Sequence, residues 1–205
     1  MSTRPLASDL AAFMRYMSKL GTLTKDDLNA VAPLLSVRKL GAGEHFLRAG
    51  EQAEYAALVT NGSVREYYGL ADGTERVKAF VFAPGLTGSM ADLLSKSPST
   101  SNIVADEEAR LLVMRFDDLS ELARRMRNWD NVFRILTQQL YLRKARREYE
   151  LLALDAQARY ATLLEQQPDI ETRVQARHIA SYLGVTPVHL SRLRRRRKAA
   201  EKRRP

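Results

Sequence analysis

The spacing of apolar residues changes twice along the chain and divides it into three parts. Over residues 6–35 the pattern predicts two helices, separated near Gly21-Thr22, with the second starting at Thr24. Over residues 36–116 short apolar runs alternate with turn residues, which indicates strands. From about residue 118 onward helical spacing returns. We therefore expect an α+β protein with helices on both sides of a β-rich segment.

The central segment predicts short antiparallel strands typical of a sandwich or jelly roll. Asn61-Gly62 and Asp72-Gly73 lie between apolar runs, and both dipeptides favour the type I′ turns of β-hairpins. Pro84-Gly85 is expected to break the sheet. The predicted strands are 55–59, 63–68, 75–82, 103–105 and 111–116.

A long helix is predicted over residues 118–154, capped by Asp117 and bent near Asn128. Apolar residues recur along it at heptad spacing, which favours pairing with the same helix of a second subunit. Packing of this helix on its own domain is the alternative. The heptad positions are Ile135, Leu142, Ala145, Tyr149 and Leu152.

Residues 175–197 predict two short helices joined by a tight turn, preceded by a further helix at 155–167. Gly184 supplies the positive φ that ends the first helix, Thr186 can cap the second, and Pro187 suits its first position. Apolar residues stand where the two helices would meet, as in a helix-turn-helix. These residues are Ile179, Leu183, Leu190 and Leu193.

Positive charge is concentrated at the C-terminus. The net charge is +9, and residues 191–205 carry nine Lys or Arg against Glu201 alone, a local charge of +8. Such a segment indicates a polyanion as partner. The chain has no cysteine, which excludes a thiolate-held cluster and a cysteine nucleophile. Without a secretory signal or a membrane-length apolar run, we expect a cytoplasmic protein that does not bind membranes.

Two groups of residues resemble the Crp/Fnr family of bacterial transcription regulators. The first is Ala49-Gly50-Glu51 with residues 59–64, and the second is residues 179–187 with 190–193. The resemblance implies a cyclic-nucleotide-binding-like β-roll with its N-terminal helices at 1–116, a dimerisation helix at 117–154, and a helix-turn-helix with a basic tail at 155–205. It implies a homodimer that binds double-stranded DNA, with RNA polymerase as a further partner. No enzyme activity, metal or cofactor is expected.

The effector pocket departs from the family pattern. Residues that correspond to the family's nucleotide-binding segment are Gly88, Ser89, Met90, Ser99 and Thr100. Ser89 stands where the family has a glutamate for the ribose, and Ser99 where it has an arginine for the cyclic phosphate. A buried phosphate without a cation is strongly disfavoured. We therefore expect no cAMP binding of the usual kind, but either another small effector or none.

The resemblance assigns DNA contacts to the helix pair. Arg192 corresponds to an arginine that reads a guanine edge, Val188 and His189 share its face, and Arg195 and Arg196 follow one turn later. Gln175, His178 and Thr186 are expected to position phosphates. The family's two-stranded wing has no counterpart in residues 194–205, so we expect the basic tail to replace some of its contacts, with a chain shortened at this end as the alternative.

A second functional class remains open from the sequence. In this alternative the β-roll is a small-molecule sensor or binding module, and the basic C-terminus binds RNA, an anionic membrane or a protein without reading a DNA sequence. A defined pseudo-palindromic binding site would favour the regulator, whereas binding that ignores sequence would favour the alternative.

Overall fold

The computed structural model describes residues 3–201. Two helices precede the strands, one short helix interrupts them, and the remaining helices follow. The helices are α1 (Ala7–Met17), α2 (Lys25–Val31), α3 (Met90–Ser95), α4 (Phe116–Arg125), α5 (Arg127–Ala153), α6 (Ala156–Gln166), α7 (Ile170–Arg173), α8 (Ala176–Leu183) and α9 (Pro187–Glu201). A 3₁₀ turn at Ala32–Leu34 follows α2.

The central segment forms two four-stranded antiparallel sheets, in the orders β1-β8-β3-β6 and β2-β7-β4-β5. The strands are β1 (Ser36–Leu40), β2 (His45–Leu47), β3 (Tyr55–Asn61), β4 (Ser63–Gly69), β5 (Glu75–Phe82), β6 (Gly85–Thr87), β7 (Asn102–Ala105) and β8 (Ala109–Arg115). Inward-facing residues of both sheets, such as Val59 and Val64, are fully buried. The predicted jelly-roll architecture is confirmed.

The turn at Asn61-Gly62 is not a hairpin. β3 pairs with β6 and β8, whereas β4 pairs with β5 and β7, so the chain passes from one sheet to the other at Gly62. A Cβ on Gly62 would lie 2.2 Å from the carbonyl oxygen of Glu108 at a φ of +75°. Only glycine fits this crossing. The hairpin predicted at Asp72-Gly73 does join β4 to β5.

At Pro84 the chain passes from one sheet to the other, whereas the sequence predicted a break in the sheet. After a cis Ala83–Pro84 bond the chain continues as β6, which pairs with β3 in the opposite sheet. The sequence analysis named neither this strand nor β1, β2 and α7, which are three to five residues long. Elements this short carry too few periods for a clear pattern.

The long helix begins earlier and breaks earlier than predicted. α4 starts at Phe116, so Asp117 lies in its first turn and Arg115 takes the cap position. Met126, in an extended conformation, separates α4 from α5, two residues before the predicted bend. Trp129 of α5 is fully buried and donates its indole N–H to the carbonyl of Asp27 at 3.1 Å. The start of α5 is therefore anchored in the core of the roll.

The C-terminal helices form a second apolar core that also contacts the roll. Tyr160, Ile179 and Leu190 are among its buried members, and Phe80 and Phe82 of β5 pack against it. The Phe80 and Tyr182 rings lie 5.4 Å apart between centroids. β5 is the outer strand of its sheet, and the helix pair packs against its free edge.

Candidate nucleic-acid interface and effector region

α8 and α9 have the predicted geometry. Gly184 ends α8 in the left-handed conformation, with φ +69°, and its N–H bonds the carbonyl of Ser181. Pro187 begins α9, and the hydroxyl of Thr186 accepts the backbone N–H of His189 at 3.2 Å. The four predicted apolar residues are buried between the helices: Ile179, Leu183, Leu190 and Leu193.

Burial of Leu190 and Leu193 leaves the opposite face of α9 in solvent. Every residue of this helix that is predicted to contact DNA is exposed: Val188, His189, Arg192, Arg195 and Arg196. Within residues 3–201 none of these three arginines forms an ion pair with a carboxylate. The face is therefore an uncompensated positive surface.

Arg194 has a different role from its neighbours. Its Nε donates to Glu171 Oε1 at 2.5 Å, and the same oxygen accepts the hydroxyl of Tyr160 at 2.6 Å. Burial raises the pKa of Glu171, but the hydrogen bonds from Tyr160 and Arg194 outweigh it, and the net shift is downward. This ionised carboxylate ties α9 to α6 and α7.

His178 does not lie where a phosphate contact requires it. Its side chain is buried, with its ring nitrogens 3.9 Å from carboxylate oxygens of Glu75 and Asp106, and Arg177 donates to its Nε2 at 3.1 Å. Burial and the charge of Arg65 lower its pKa. The prediction for His178 is wrong in this conformation, because α8 turns that face toward the roll.

Ser181 is a contact residue that the sequence analysis missed. Its hydroxyl accepts the backbone N–H of Val77 at 2.9 Å and donates to the carbonyl of Glu75 at 2.6 Å. These are groups on the free edge of β5, so one serine provides the bonds that a further strand would make. Among the other predicted phosphate contacts, Gln175 and Thr186 are exposed.

Three of the five predicted effector residues surround a buried carboxylate. Oδ2 of Asp92 accepts the hydroxyl of Ser89 at 2.5 Å and the backbone N–H of Thr100 at 3.0 Å, with the Ser99 hydroxyl at 3.4 Å. Burial raises the pKa of Asp92, but the hydrogen bonds from Ser89 and Thr100 and the charge of Lys78 outweigh it, so the net shift is downward and the carboxylate stays ionised. Ser89 and Ser99 are buried, so their side chains do not line an open pocket.

The polar cluster around Asp92 continues into the roll. Ser101 donates to Glu66 Oε1 at 2.8 Å, and Lys78 contacts the same oxygen at 2.5 Å. The sequence contained a signal for this cluster. Glu66 stands two residues after buried Val64, and alternate strand residues share a face, so a charged side chain is placed on the same face as a buried valine.

The remaining two effector residues lie elsewhere. Gly88 and Met90 line a separate apolar cavity between the roll and α1 and α5. The five residues therefore do not form one pocket.

The comparisons with known proteins agree with this architecture. Residues 37–126 match the family model of the cyclic nucleotide-binding domain. The roll has the cyclic nucleotide-binding fold. Among similar solved structures, FixK2 from Bradyrhizobium japonicum is 20% identical with a TM-score of 0.68, covering 82% of this chain and 86% of that one.

Two further structures extend the likeness. The c-di-GMP-responsive global regulator CLP from Xanthomonas campestris is 16% identical with a TM-score of 0.68, covering 87% of this chain and 93% of that one. The catabolite activator protein of Thermus thermophilus is 26% identical with a TM-score of 0.53, covering 88% and 85%. No protein with a curated description matches the sequence. The predicted fold class, a cyclic-nucleotide-binding-type roll followed by C-terminal helices, is confirmed.

Two properties of the described residues bear on other kinds of site. Among residues 3–201 no group of three or more His, Asp or Glu side chains is arranged to hold a metal ion. None of the helices in this range is long and apolar enough to cross a membrane.

Proposed function

We propose that the protein is a dimeric transcription regulator that binds DNA through α9. The observation that carries this proposal is the division of α9 into a buried apolar face and an exposed face with Arg192, Arg195 and Arg196. Other arginines of the C-terminal helices, such as Arg173 and Arg194, have carboxylate partners within the protein. Arginines without internal partners favour an external polyanion.

Arg192 and Arg196 are assigned different tasks on the DNA. Arg192 lies two residues after Leu190, early enough on α9 to enter the major groove, where arginine reads guanine. Arg196 lies a full turn further along and is expected to contact phosphate. Arg192→Ala should therefore relax base preference at one position of each half-site. Arg196→Ala should weaken binding to all sequences alike and reduce the salt slope by about one unit.

Selection of bound DNA from a random pool, followed by titration at several salt concentrations, measures both effects. Arg134→Ala, which removes an exposed arginine on α5 far along the chain from α9, is the matched control and should change neither. Binding without any preferred sequence would contradict the proposal and favour the alternative of a binding module for polyanions. Equal effects of Arg192→Ala and Arg196→Ala would contradict the assignment of the face.

The second half of α5 supports the dimer. Ile135 packs against the core of the roll, and Ala145 is half-buried. The other heptad positions face solvent, with Leu142 64% exposed, Tyr149 60% and Leu152 80%. Apolar side chains this exposed at heptad spacing favour a coiled-coil partner. Since the same helix of a second copy offers the same stripe, we propose a two-fold dimer along α5.

Sedimentation equilibrium tests the dimer. Leu142→Glu and Leu152→Glu should each shift the protein toward monomer, because a carboxylate would be buried in the seam. Leu94→Glu on α3 is the control, since Leu94 is also exposed but lies off α5. A wild-type protein that stays monomeric at all concentrations would contradict the proposal.

We also propose that the roll does not bind cAMP in the usual way. The donors around Asp92 are already bonded to its carboxylate, and a phosphate placed there would add a second negative charge within a buried cluster. Calorimetric titration with cAMP and cGMP should show no heat of binding at micromolar nucleotide. Micromolar affinity for cAMP would overturn this part of the proposal without affecting DNA binding.

A further inference from the structure

An apolar cavity of about 100 Å³ lies between the β1-β8-β3-β6 sheet and the helices α1, α4 and α5. Ala56 and Met114 form its sheet wall, Phe13 lies on the α1 side, and Trp129 and Leu140 of α5 close the rest. Well-packed proteins contain few voids larger than a water molecule. A cavity of this size is comparable with one of about 150 Å³ that accepts a benzene ring in an engineered protein.

One positive charge stands among the apolar walls. Arg143 of α5 contributes to the lining and is exposed, and within residues 3–201 it forms no ion pair with a carboxylate. Burial raises the pKa of the Tyr16 hydroxyl, whereas the charge of Arg143 acts in the opposite direction.

This combination specifies a class of ligand. Binding pockets are commonly apolar with a few polar groups that fix orientation. Here the walls favour a hydrocarbon body, and the guanidinium favours a carboxylate, with which arginine makes charge-assisted hydrogen bonds. We propose that the cavity binds a small monocarboxylic acid with an aliphatic body, its chain against Trp129 and its carboxylate at Arg143.

The proposed site is separate from the polar cluster around Asp92. Met90 and Gly88 border the cavity, whereas Ser89 between them points to Asp92. The inference rests on the cavity and Arg143 alone and not on DNA binding. A result that contradicts one proposal therefore does not contradict the other.

Pentanoate is the probe, because its four-carbon chain suits a cavity of about 100 Å³, and the 205-residue chain is titrated by calorimetry. Trp129 is the only tryptophan of the chain, so its emission reports occupancy of the cavity. We expect saturable binding of one pentanoate per chain with a matching change in emission. Ala56→Leu, which fills the cavity, should abolish binding, and Leu140→Phe at the border serves the same purpose if Ala56→Leu does not fold.

Charge is tested by a matched pair of variants on α5. Arg143→Gln should weaken pentanoate binding about five- to tenfold, whereas Arg134→Gln, on the same helix but away from the cavity, should not change it. The uncharged alcohol 1-pentanol should bind wild type and Arg143→Gln equally. The proposal is overturned by absence of saturable binding, by unchanged affinity in both cavity-filling variants, or by equal loss in the two arginine variants.

Discussion

Replacing Ser181 with alanine removes the hydroxyl that joins α8 to the edge of the roll. In the wild type this oxygen accepts the Val77 N–H at 2.9 Å and its proton bonds the Glu75 carbonyl at 2.6 Å. β5 has no strand on that side, since it is the last in the order β2-β7-β4-β5. Both backbone groups therefore lose their partner together, and alanine offers no replacement.

The magnitude follows from how buried these groups are. Val77 is 5% exposed, and an unsatisfied buried donor costs about 1–3 kcal/mol. Glu75 is half-buried, so its carbonyl can recover water and loses only the net value of a hydrogen bond, about 0.5–1.5 kcal/mol. We expect Ser181→Ala to lower the free energy of unfolding by about 1.5–4.5 kcal/mol.

Urea unfolding monitored by circular dichroism measures the stability, and amide hydrogen exchange of Val77 measures the local effect. Ser120→Ala is the control, because Ser120 is also half-buried but bonds only the Phe116 carbonyl within its own helix, at 2.9 Å. It should change stability by no more than about 0.5 kcal/mol. Equal losses in the two variants, or unchanged protection of the Val77 amide in Ser181→Ala, would refute the reasoning.

Three further predictions concern two turn glycines, the Asp9–Arg110 ion pair and the buried His178. Gly73→Ala should cost about 1 kcal/mol for its positive φ, whereas Gly62→Ala should cost at least about 2 kcal/mol more in urea unfolding, because its Cβ meets the Glu108 carbonyl. Hydrogen bonds from Arg110 at 2.7 and 2.6 Å lower the pKa of Asp9. The stability from this pair is present above the ordinary aspartate pKa of about 3.9 and is lost as pH falls through the folded value, and Asp9→Asn should remove that loss in urea midpoints measured from pH 6 to 3. His178 has a lowered pKa through burial, so the unfolded chain takes up its proton first, and stability should decline as pH falls below about 6.5 in the wild type but not in His178→Gln.

Local chemistry explains which features could be predicted from the sequence. The turn between α8 and α9 needed a left-handed residue, a side-chain cap and a residue without an N–H at the first helical position. Gly184, Thr186 and Pro187 each meet one of these needs, and all three are used as predicted. Thr24 likewise caps α2 by accepting the N–H of Asp27 at 3.3 Å. Such signals depend only on neighbouring residues, so one sequence is enough to find them.

Long-range pairing explains where the sequence was insufficient. Asn61-Gly62 has the composition of a hairpin turn, and only the pairing of β3 with β8 shows that it changes sheet. His178 has the spacing of an exposed helical residue, and only the packing of α8 on β5 buries it beside Glu75. Neither fact follows from local pattern, because the partner lies about 50 or more residues away in the chain.

β5 connects the two candidate regions of the protein. Lys78 on this strand contacts Glu66, which belongs to the cluster around Asp92. The adjacent Val77 bonds Ser181 on the helix pair. Contact alone does not establish coupling, which requires an element with two arrangements that both ends can bias. The edge of β5 meets the geometric part of this requirement, because its bonds to Ser181 can break without breaking its pairing with β4. Hydrogen exchange at the Val77 amide therefore reports directly on whether that edge opens. If the roll controls α9 through the contact between Ser181 and β5, such opening must occur.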